Sequence, residues 1–222
     1  MNFFKDLEKQ ILSHDDGLTE LVDEAPLACL RIWTSALTLT PVGMEFCSIL
    51  NAIVRNDKEK QIRAVMPIIR SITSLCALTR KGDVVTWPKD HTLYRGTGMP
   101  MEQLSFFKEE VKYRCPFFLA TSLSKIVAHD FCRRASQQPG RVPVLFVVKL
   151  DPKFRCYHVN FIDKGYIPGE SEFLFSPYSV FKVISVPDLS KAVNWMNPYV
   201  VILKAAVDNK IEPEDLPLCG WH

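Results

Sequence analysis

The chain changes its hydrophobic pattern near Lys81, and this change limits the folds it can adopt. Before about residue 80 the apolar residues recur at helical spacing, whereas from Val84 onward they form short strand-like runs separated by turn residues. Helices followed by many short strands are typical of an α+β protein and not of a doubly wound parallel sheet. We therefore predict a helical N-terminal lobe over residues 1–82 and a strand-rich unit over residues 83–222.

The N-terminal part is predicted to contain three to five helices packed as a bundle. Pro26 starts or kinks one helix, and Pro41 with Gly43 marks a break between helices. Asn56 and Glu59 have the spacing of a capping box for the next helix, which Pro67 is expected to kink. Two apolar stripes are expected to face the core, formed by Phe46, Ile49, Leu50 and Ile53 and by Ile62, Val65, Ile69 and Ile72.

The second part is predicted to contain several strands and two inserted helices. Pro100 is expected to start a short helix, and Ser124 to cap a longer one that ends near Ala135. The predicted strands cover residues 92–95, 117–121, 142–150, 156–162, 172–175, 180–186 and 198–207.

Charge and cysteine usage limit the function classes. The formal net charge of the 222 residues is +2, which favours neither nucleic acid nor an anionic membrane as a partner. The seven cysteines include no C-x-x-C pair, so neither a disulfide framework nor a zinc site is predicted, and a reducing compartment fits best. The first residues lack a secretory signal, so an intracellular, cytoplasmic protein is expected. Export as an effector through a route without such a signal is compatible with this pattern.

Glu170 and Glu172 stand two residues apart, just before the apolar run Phe173-Leu174-Phe175. On a strand this spacing points both carboxylates to one face, where their charges repel. A cationic group or a developing positive charge would stabilise the pair. By itself such a pair is more often the solvated face of a strand.

Two segments upstream carry further candidate residues. Arg95 is expected at the end of a strand, where an arginine can grip a phosphate, and Gly96 allows a close approach to the backbone. Thr121 and Ser122 end another strand, and their hydroxyls can bond to a carboxylate across the sheet or cap a helix. A surface arginine before a turn is the simpler reading of Arg95 by itself.

Taken in order, these segments resemble the Arg-Ser-Glu class of mono-ADP-ribosyltransferases, which includes cholera-toxin-like toxins. The resemblance rests on Tyr94-Arg95-Gly96, Phe118-x-Ala120-Thr121-Ser122 and Pro168-Gly169-Glu170-Ser171-Glu172-Phe173, and it spans about residues 90 to 217. It implies a core of two packed, mostly antiparallel β-sheets around an NAD cleft, with NAD as the substrate and no metal.

The resemblance also implies roles for the residues that match its motifs. Glu172 would lie against the ribose of NAD and stabilise the charge that develops there. Arg95 would bind the phosphate or ribose, and the Gly96 backbone would meet the nicotinamide amide. Phe131 would cover the nicotinamide ring. Thr121 and Ser122 would supply the hydroxyls of the nucleotide site.

Glu170 would face the acceptor, and a glutamate at this place goes with arginine acceptors in the class, so a protein arginine is the expected target. Transfer to a Ser or Thr hydroxyl, as on ubiquitin, or to water keeps the same fold. The class usually has Ser-Thr-Ser where this chain has Ala120-Thr121-Ser122. The missing hydroxyl at Ala120 supports a different class of function, an inactive NAD-binding module.

Overall fold

A computed structural model describes residues 25–35, 45–57, 59–76, 87–162 and 172–220 of the chain. The described residues fall into two compact units. The first holds three helices, and the second holds an eight-stranded sheet with one long helix. The predicted boundary at residue 82 lies between the described segments, so it stays a prediction.

The three helices of the first unit are α1 (Ala25–Thr34), α2 (Phe46–Arg55) and α3 (Glu59–Thr73). Both α2 and α3 are amphipathic. Helix α2 buries Phe46, Leu50 and Val54, and helix α3 buries Val65, Ile68 and Ile72. Each stripe differs from its prediction at one position. Val54 is buried in place of Ile53 and Ile68 in place of Ile69, and the two predicted isoleucines are half-buried. Helix α3 begins at Glu59 and continues past Pro67. The predicted capping box was wrong, because Asn56 is the C-cap of α2 and its N–H bonds back to that helix. The lobe predicted over residues 1–82 extends beyond the described residues.

The second unit contains eight strands and a 12-residue helix, α4 (Lys125–Ser136). In chain order the strands are β1 (Thr92–Met99), β2 (Lys112–Cys115), β3 (Leu119–Ser122), β4 (Val142–Lys149), β5 (Val159–Ile162), β6 (Glu172–Phe175), β7 (Ser179–Ser185) and β8 (Tyr199–Ala205). They form one sheet in the order β2-β7-β8-β4-β1-β3-β6-β5. Only the β4–β8 pairing is parallel among those with a defined register.

The sheet is folded over on itself at the junction of β1 and β3. These two strands share a single register pair, Tyr94 with Ser122, whereas β1 and β4 pair along their whole length. Strands β6 and β7 are five places apart in the sheet, roughly 24 Å if the sheet were flat. The rings of Phe175 and Phe181 on these strands are nevertheless only 5.1 Å apart. Opposite ends of the sheet therefore pack face to face around one core.

This topology differs from the expected two packed sheets in one respect. The two layers exist, but within the described residues the Tyr94–Ser122 pair joins them into one continuous sheet. The core between the layers is rich in aromatic side chains, including Phe107, Phe146, Phe173 and Phe175. Large buried rings supply most of the apolar area that stabilises such a core.

The boundaries of several elements differ from their predictions. Strand β1 continues through Gly96 and Gly98 to Met99, so Arg95 lies inside the strand and not at its end. The residues after Pro100 form a 3₁₀ helix, Met101–Phe106. Strand β2 was not predicted, because a four-residue strand with two charged side chains carries little hydrophobic pattern. None of the helices in the described segments is long and apolar enough to cross a membrane.

Candidate active site

Tyr94, Ser122 and Glu172 form a row across three adjacent strands. Tyr94 is paired with Ser122 between β1 and β3, and Ser122 is paired with Glu172 between β3 and β6. Directly paired residues on antiparallel strands point to the same face, with their Cβ atoms about 4.5–5.5 Å apart. The fold thus brings the predicted hydroxyl residue Ser122 next to the predicted catalytic residue Glu172.

Ser122 has a second structural role at the start of α4. Its hydroxyl oxygen accepts a hydrogen bond from the backbone N–H of Ser124 at 3.0 Å. Ser124 in turn caps α4 as predicted, accepting a bond from the N–H of Val127 at 3.4 Å. A serine hydroxyl has one proton to donate and two lone pairs to accept. The Ser122 proton is not used in either of these bonds.

Thr121 lies on the opposite face of β3 and is buried. Its hydroxyl donates to the backbone carbonyl of Phe173 at 2.7 Å. Phe173 follows Glu172 directly, so this bond fixes the β6 backbone next to the carboxylate. This bond uses the only proton of the buried Thr121 hydroxyl.

The guanidinium of Arg95 bridges β1 and β3. Its Nη1 donates to the backbone carbonyl of Ala120 at 2.9 Å. Alternation along β1 directs the Cβ of Arg95 to the face opposite that of Tyr94. The strands separate beyond the Tyr94–Ser122 pair, and the long side chain crosses the gap at this point. Arg95 is one residue from the row that ends in Glu172, so their Cα atoms are roughly 10 Å apart.

Gly96 lies against the backbone of α4. A Cβ atom at this position would be 1.7 Å from the carbonyl oxygen of Ala128 and 2.9 Å from the backbone nitrogen of Cys132. Only glycine therefore allows α4 to sit this close to β1. Gly98 has a similar contact one turn further along, where a Cβ would be 2.8 Å from the Cβ of Ala135. The structure thus gives Gly96 a packing role that the sequence analysis did not foresee.

Phe131 lies on α4 and its side chain is 46% exposed. The guanidinium of Arg134 stands over its ring at 4.3 Å, a cation–π contact. The α4 atoms nearest to a Cβ at Gly96 belong to Ala128 and Cys132. Helix α4 thus exposes the Phe131 ring to solvent, and the next residue, Cys132, contacts β1 at Gly96.

Glu170 lies outside the described residues, so its predicted role at the acceptor stays a prediction. Among the residues that the structure describes, no group of three or more His, Cys, Asp or Glu side chains could hold a metal ion.

In the row of paired residues, burial raises the pKa of Tyr94, with a smaller contribution from the Asp90 carboxylate. The raised pKa keeps the Tyr94 hydroxyl neutral at physiological pH.

Two features of this region have no signal in the sequence. One partner of Arg95 is a backbone carbonyl, that of Ala120, which leaves no trace in the residue type. Tyr94 enters the row only through the β1–β3 register, and a register between strands about 25 residues apart is set by tertiary packing.

Solved structures of similar fold are ADP-ribosyltransferases. They include the Vis toxin from Vibrio splendidus (20% identity, 91% of this chain and 81% of that chain, TM-score 0.56) and HopU1 from Pseudomonas syringae pv. tomato DC3000 (17% identity, 86% and 83%, TM-score 0.59). The Clostridium limosum C3 exoenzyme is similar at 12% identity (82% and 85%, TM-score 0.53). No protein-family model matches the chain, and no curated protein sequence matches it significantly.

These similarities identify the fold of this chain as that of the ADP-ribosyltransferases.

Proposed function

We propose that this protein is an NAD-dependent mono-ADP-ribosyltransferase that modifies a protein arginine and releases nicotinamide. The observation that supports it best is the row Tyr94–Ser122–Glu172 together with the guanidinium of Arg95, which bonds the Ala120 carbonyl where β1 and β3 separate. A cation on β1 and a carboxylate on β6, with only β3 between them, suit a substrate that has both phosphates and a glycosidic bond to a cationic leaving group. The ADP-ribosyltransferase fold of the chain agrees with this chemistry.

Glu172 would stabilise the transition state. When the bond between ribose C1 and the nicotinamide nitrogen breaks, the electron pair leaves with nicotinamide and the ribose becomes oxocarbenium-like. A carboxylate beside the sugar stabilises this positive charge more in the transition state than in the ground state. The Ser122 hydroxyl would hold the Glu172 carboxylate in place, and Thr121 would hold the backbone of β6 beside it.

The other predicted residues would bind the nucleotide. Arg95 would bind a phosphate or the ribose through its guanidinium. The Gly96 backbone would meet the nicotinamide amide from β1. Phe131 would cover the nicotinamide with the ring face that does not carry Arg134.

Glu170 would select the acceptor. A guanidinium has a pKa above about 12 and is a poor nucleophile until a proton is withdrawn. A carboxylate two residues from Glu172 can bind the guanidinium and accept that proton as its nitrogen attacks ribose C1. We therefore expect a protein arginine as the partner side chain.

Two alternatives to arginine modification remain, one with a different acceptor and one without catalysis. With the same site, a Ser or Thr hydroxyl or a water molecule could attack the ribose in place of a guanidinium. A protein that binds NAD without turnover is the alternative from another class, and Ala120 in place of the usual serine is the observation in its favour.

The decisive test is to incubate the protein with NAD and agmatine, a small guanidine, and to measure nicotinamide release and ADP-ribosyl-agmatine. Glu172→Gln should lower nicotinamide release by about 10²–10³-fold, because the charge is lost while the shape is kept. Glu110→Gln is the matched control, since Glu110 pairs with Lys182 at 2.6 Å on the surface. Unchanged turnover in Glu172→Gln would remove the catalytic assignment.

The acceptor is tested separately. Glu170→Gln should retain NAD hydrolysis and lose transfer to agmatine, and an equal loss of both would contradict the division of roles. Incubation with labelled NAD and a cell lysate, followed by mass spectrometry, would identify the modified residue. The response of the product to hydroxylamine separates an arginine linkage from an O-linked one. NAD binding without any nicotinamide release would instead favour the inactive module.

A further inference from the structure

The segment 212–219, which we call the strap, runs along the outer edge of β2. Its backbone forms a parallel bridge with that strand at Arg114 and Leu218. The N–H of Arg114 donates to the carbonyl of Pro217 at 2.9 Å, and the N–H of Cys219 donates to the carbonyl of Arg114 at 3.0 Å. The strap therefore covers an edge of the sheet that would otherwise present unpaired backbone groups.

Side chains of β2 hold the other end of the strap. The Arg114 guanidinium donates to the backbone carbonyls of Glu212 and Pro213, at 3.1 and 2.7 Å. The Lys112 ammonium pairs with the Glu212 carboxylate at 2.6 Å. These contacts fix the strap in one register relative to β2.

That register sets Cys115 beside Cys219. In a parallel bridge between residues 114 and 218, the next residues along both chains are also neighbours and point to one face. Burial agrees with this alternation: Leu218 is 53% exposed, whereas Cys115 and Cys219 are 0% and 2% exposed and belong to the same core cluster. Neighbouring strands are about 4.8 Å apart, which lies within the Cα separation that a disulfide spans.

Tyr113 belongs to the same core cluster as Cys115 and Cys219. Tyr113 is fully buried on the core face of β2, two residues from Cys115. Burial raises the pKa of Tyr113 well above its usual range, and Cys219 and Cys115 add smaller contributions. The Tyr113 side chain therefore shares its buried surroundings with both cysteines.

We propose that Cys115 and Cys219 are a site of reversible disulfide formation that ties the strap to β2. Neither sulfur is in a disulfide in this structure. The oxidant would be a small disulfide such as oxidised glutathione. One thiolate attacks it, forming a mixed disulfide and releasing one glutathione thiolate. The second cysteine then displaces the other glutathione, so the two sulfurs lose two electrons and two protons in total and two thiols are formed.

Burial makes the reaction depend on opening of the strap. While the strap is in place, both sulfurs are shielded from an oxidant in solution, and a local opening exposes them. In a reducing compartment the pair stays as thiols, and in an oxidising one the cross-link closes a loop of roughly 100 residues. The stability of the sheet unit then depends on the redox state of its surroundings, independently of any transferase activity.

The proposal is tested by peptide mapping of the purified protein under non-reducing conditions. One sample is incubated with oxidised glutathione in the native state, and another is refolded from denaturant in a glutathione redox buffer. We expect a peptide pair joined through Cys115 and Cys219 that disappears on reduction. The absence of this pair from both samples, while other cysteines become cross-linked or glutathionylated, would overturn the proposal.

Thermal unfolding gives a second readout. The oxidised protein should melt roughly 10 °C higher than the reduced protein. Cys219→Ser should abolish this difference, whereas Cys132→Ser should retain it, because Cys132 lies on α4 and its thiol bonds the carbonyl of Val144. An oxidation shift that persists in Cys219→Ser would contradict the assignment, and the map of the unsubstituted protein decides the matter even if a variant does not fold.

Discussion

Ser122 and Glu172 are directly paired in antiparallel register between β3 and β6. Residues 50 positions apart in the chain thus share one face of the sheet with their Cβ atoms about 5 Å apart. This pairing converts a hydroxyl at the end of one strand and a carboxylate at the start of another into neighbours. It is the local arrangement on which the proposed cleavage of NAD depends.

Arg95→Lys should weaken NAD use and slightly destabilise the sheet unit. Lysine keeps the charge but cannot donate to Ala120 and to a phosphate in a planar, bidentate manner. We expect the KM for NAD to rise at least about tenfold and the free energy of unfolding to fall by about 1–2 kcal/mol. Steady-state kinetics and urea denaturation measure the two effects.

Arg141→Lys is the matched control for this substitution. Arg141 also donates from Nη1 to a backbone carbonyl of β1, that of Gly98, at 2.9 Å. Arg141→Lys should reduce the free energy of unfolding to a similar extent as Arg95→Lys and leave the KM for NAD unchanged. Equal KM values in both variants would show that Arg95 serves the sheet alone.

Thr121→Val should lower kcat more than it affects NAD binding. The substitution removes the bond to the Phe173 carbonyl and leaves that buried oxygen without this donor, at a cost of about 1–3 kcal/mol in the free energy of unfolding. The β6 backbone next to Glu172 is then less well fixed, so misplacement of the carboxylate should reduce kcat by about tenfold or more. Thr121→Ser keeps the hydroxyl and should restore kcat, and a failure of this rescue would contradict the positioning role.

Gly96→Ala should be far more destabilising than Gly98→Ala. The added Cβ at residue 96 would meet the Ala128 carbonyl at 1.7 Å, where neither backbone can yield easily, so a loss of at least about 3 kcal/mol is expected. At residue 98 the nearest atom is 2.8 Å away, and a loss of about 1–3 kcal/mol is expected. Gly220→Ala, with nothing within 4 Å, is the control and should be nearly neutral. Urea denaturation that ranks the three variants differently would contradict the packing of α4 on β1.

The stability of the sheet unit should fall in mild acid because of His158. Its Nε2 donates to the carbonyl of Ala206 at 2.8 Å, its Nδ1 lies 2.8 Å from the Ser179 hydroxyl oxygen, and burial lowers its pKa from 6.5 to about 4. Between pH 6.5 and about 4, His158 therefore binds a proton in the unfolded chain but not in the folded protein. The stabilisation is complete above pH 6.5 and is lost as the pH falls from 6.5 towards 4, by up to roughly 3 kcal/mol.

Urea denaturation between pH 7 and pH 4 measures this slope. His158→Gln should flatten it, whereas His129→Gln should retain it, because His129 lies at the surface of α4, with Nδ1 3.2 Å from the Trp195 carbonyl oxygen. A slope that is unchanged in His158→Gln would assign the acid sensitivity to other groups.

Much of the fold could be read from local patterns. The runs that became β4 and β6, the cap at Ser124 and the short helix after Pro100 all depend on neighbouring residues, and their predictions are confirmed within one or two positions. The prediction for β1 was wrong at its end, since glycines usually interrupt a strand and here they continue it. Their purpose is visible only when α4 is packed against them.

The sequence by itself determined which chemical groups are present and in what order: an arginine, a pair of hydroxyls and a carboxylate, each on or beside a short strand. Tertiary structure decided that Ser122 is opposite Glu172, that Arg95 reaches across to Ala120, and that the two layers are parts of one sheet. The physical reason is that alternation and capping act over a few residues, whereas strand register is fixed by burying side chains from distant segments in a common core.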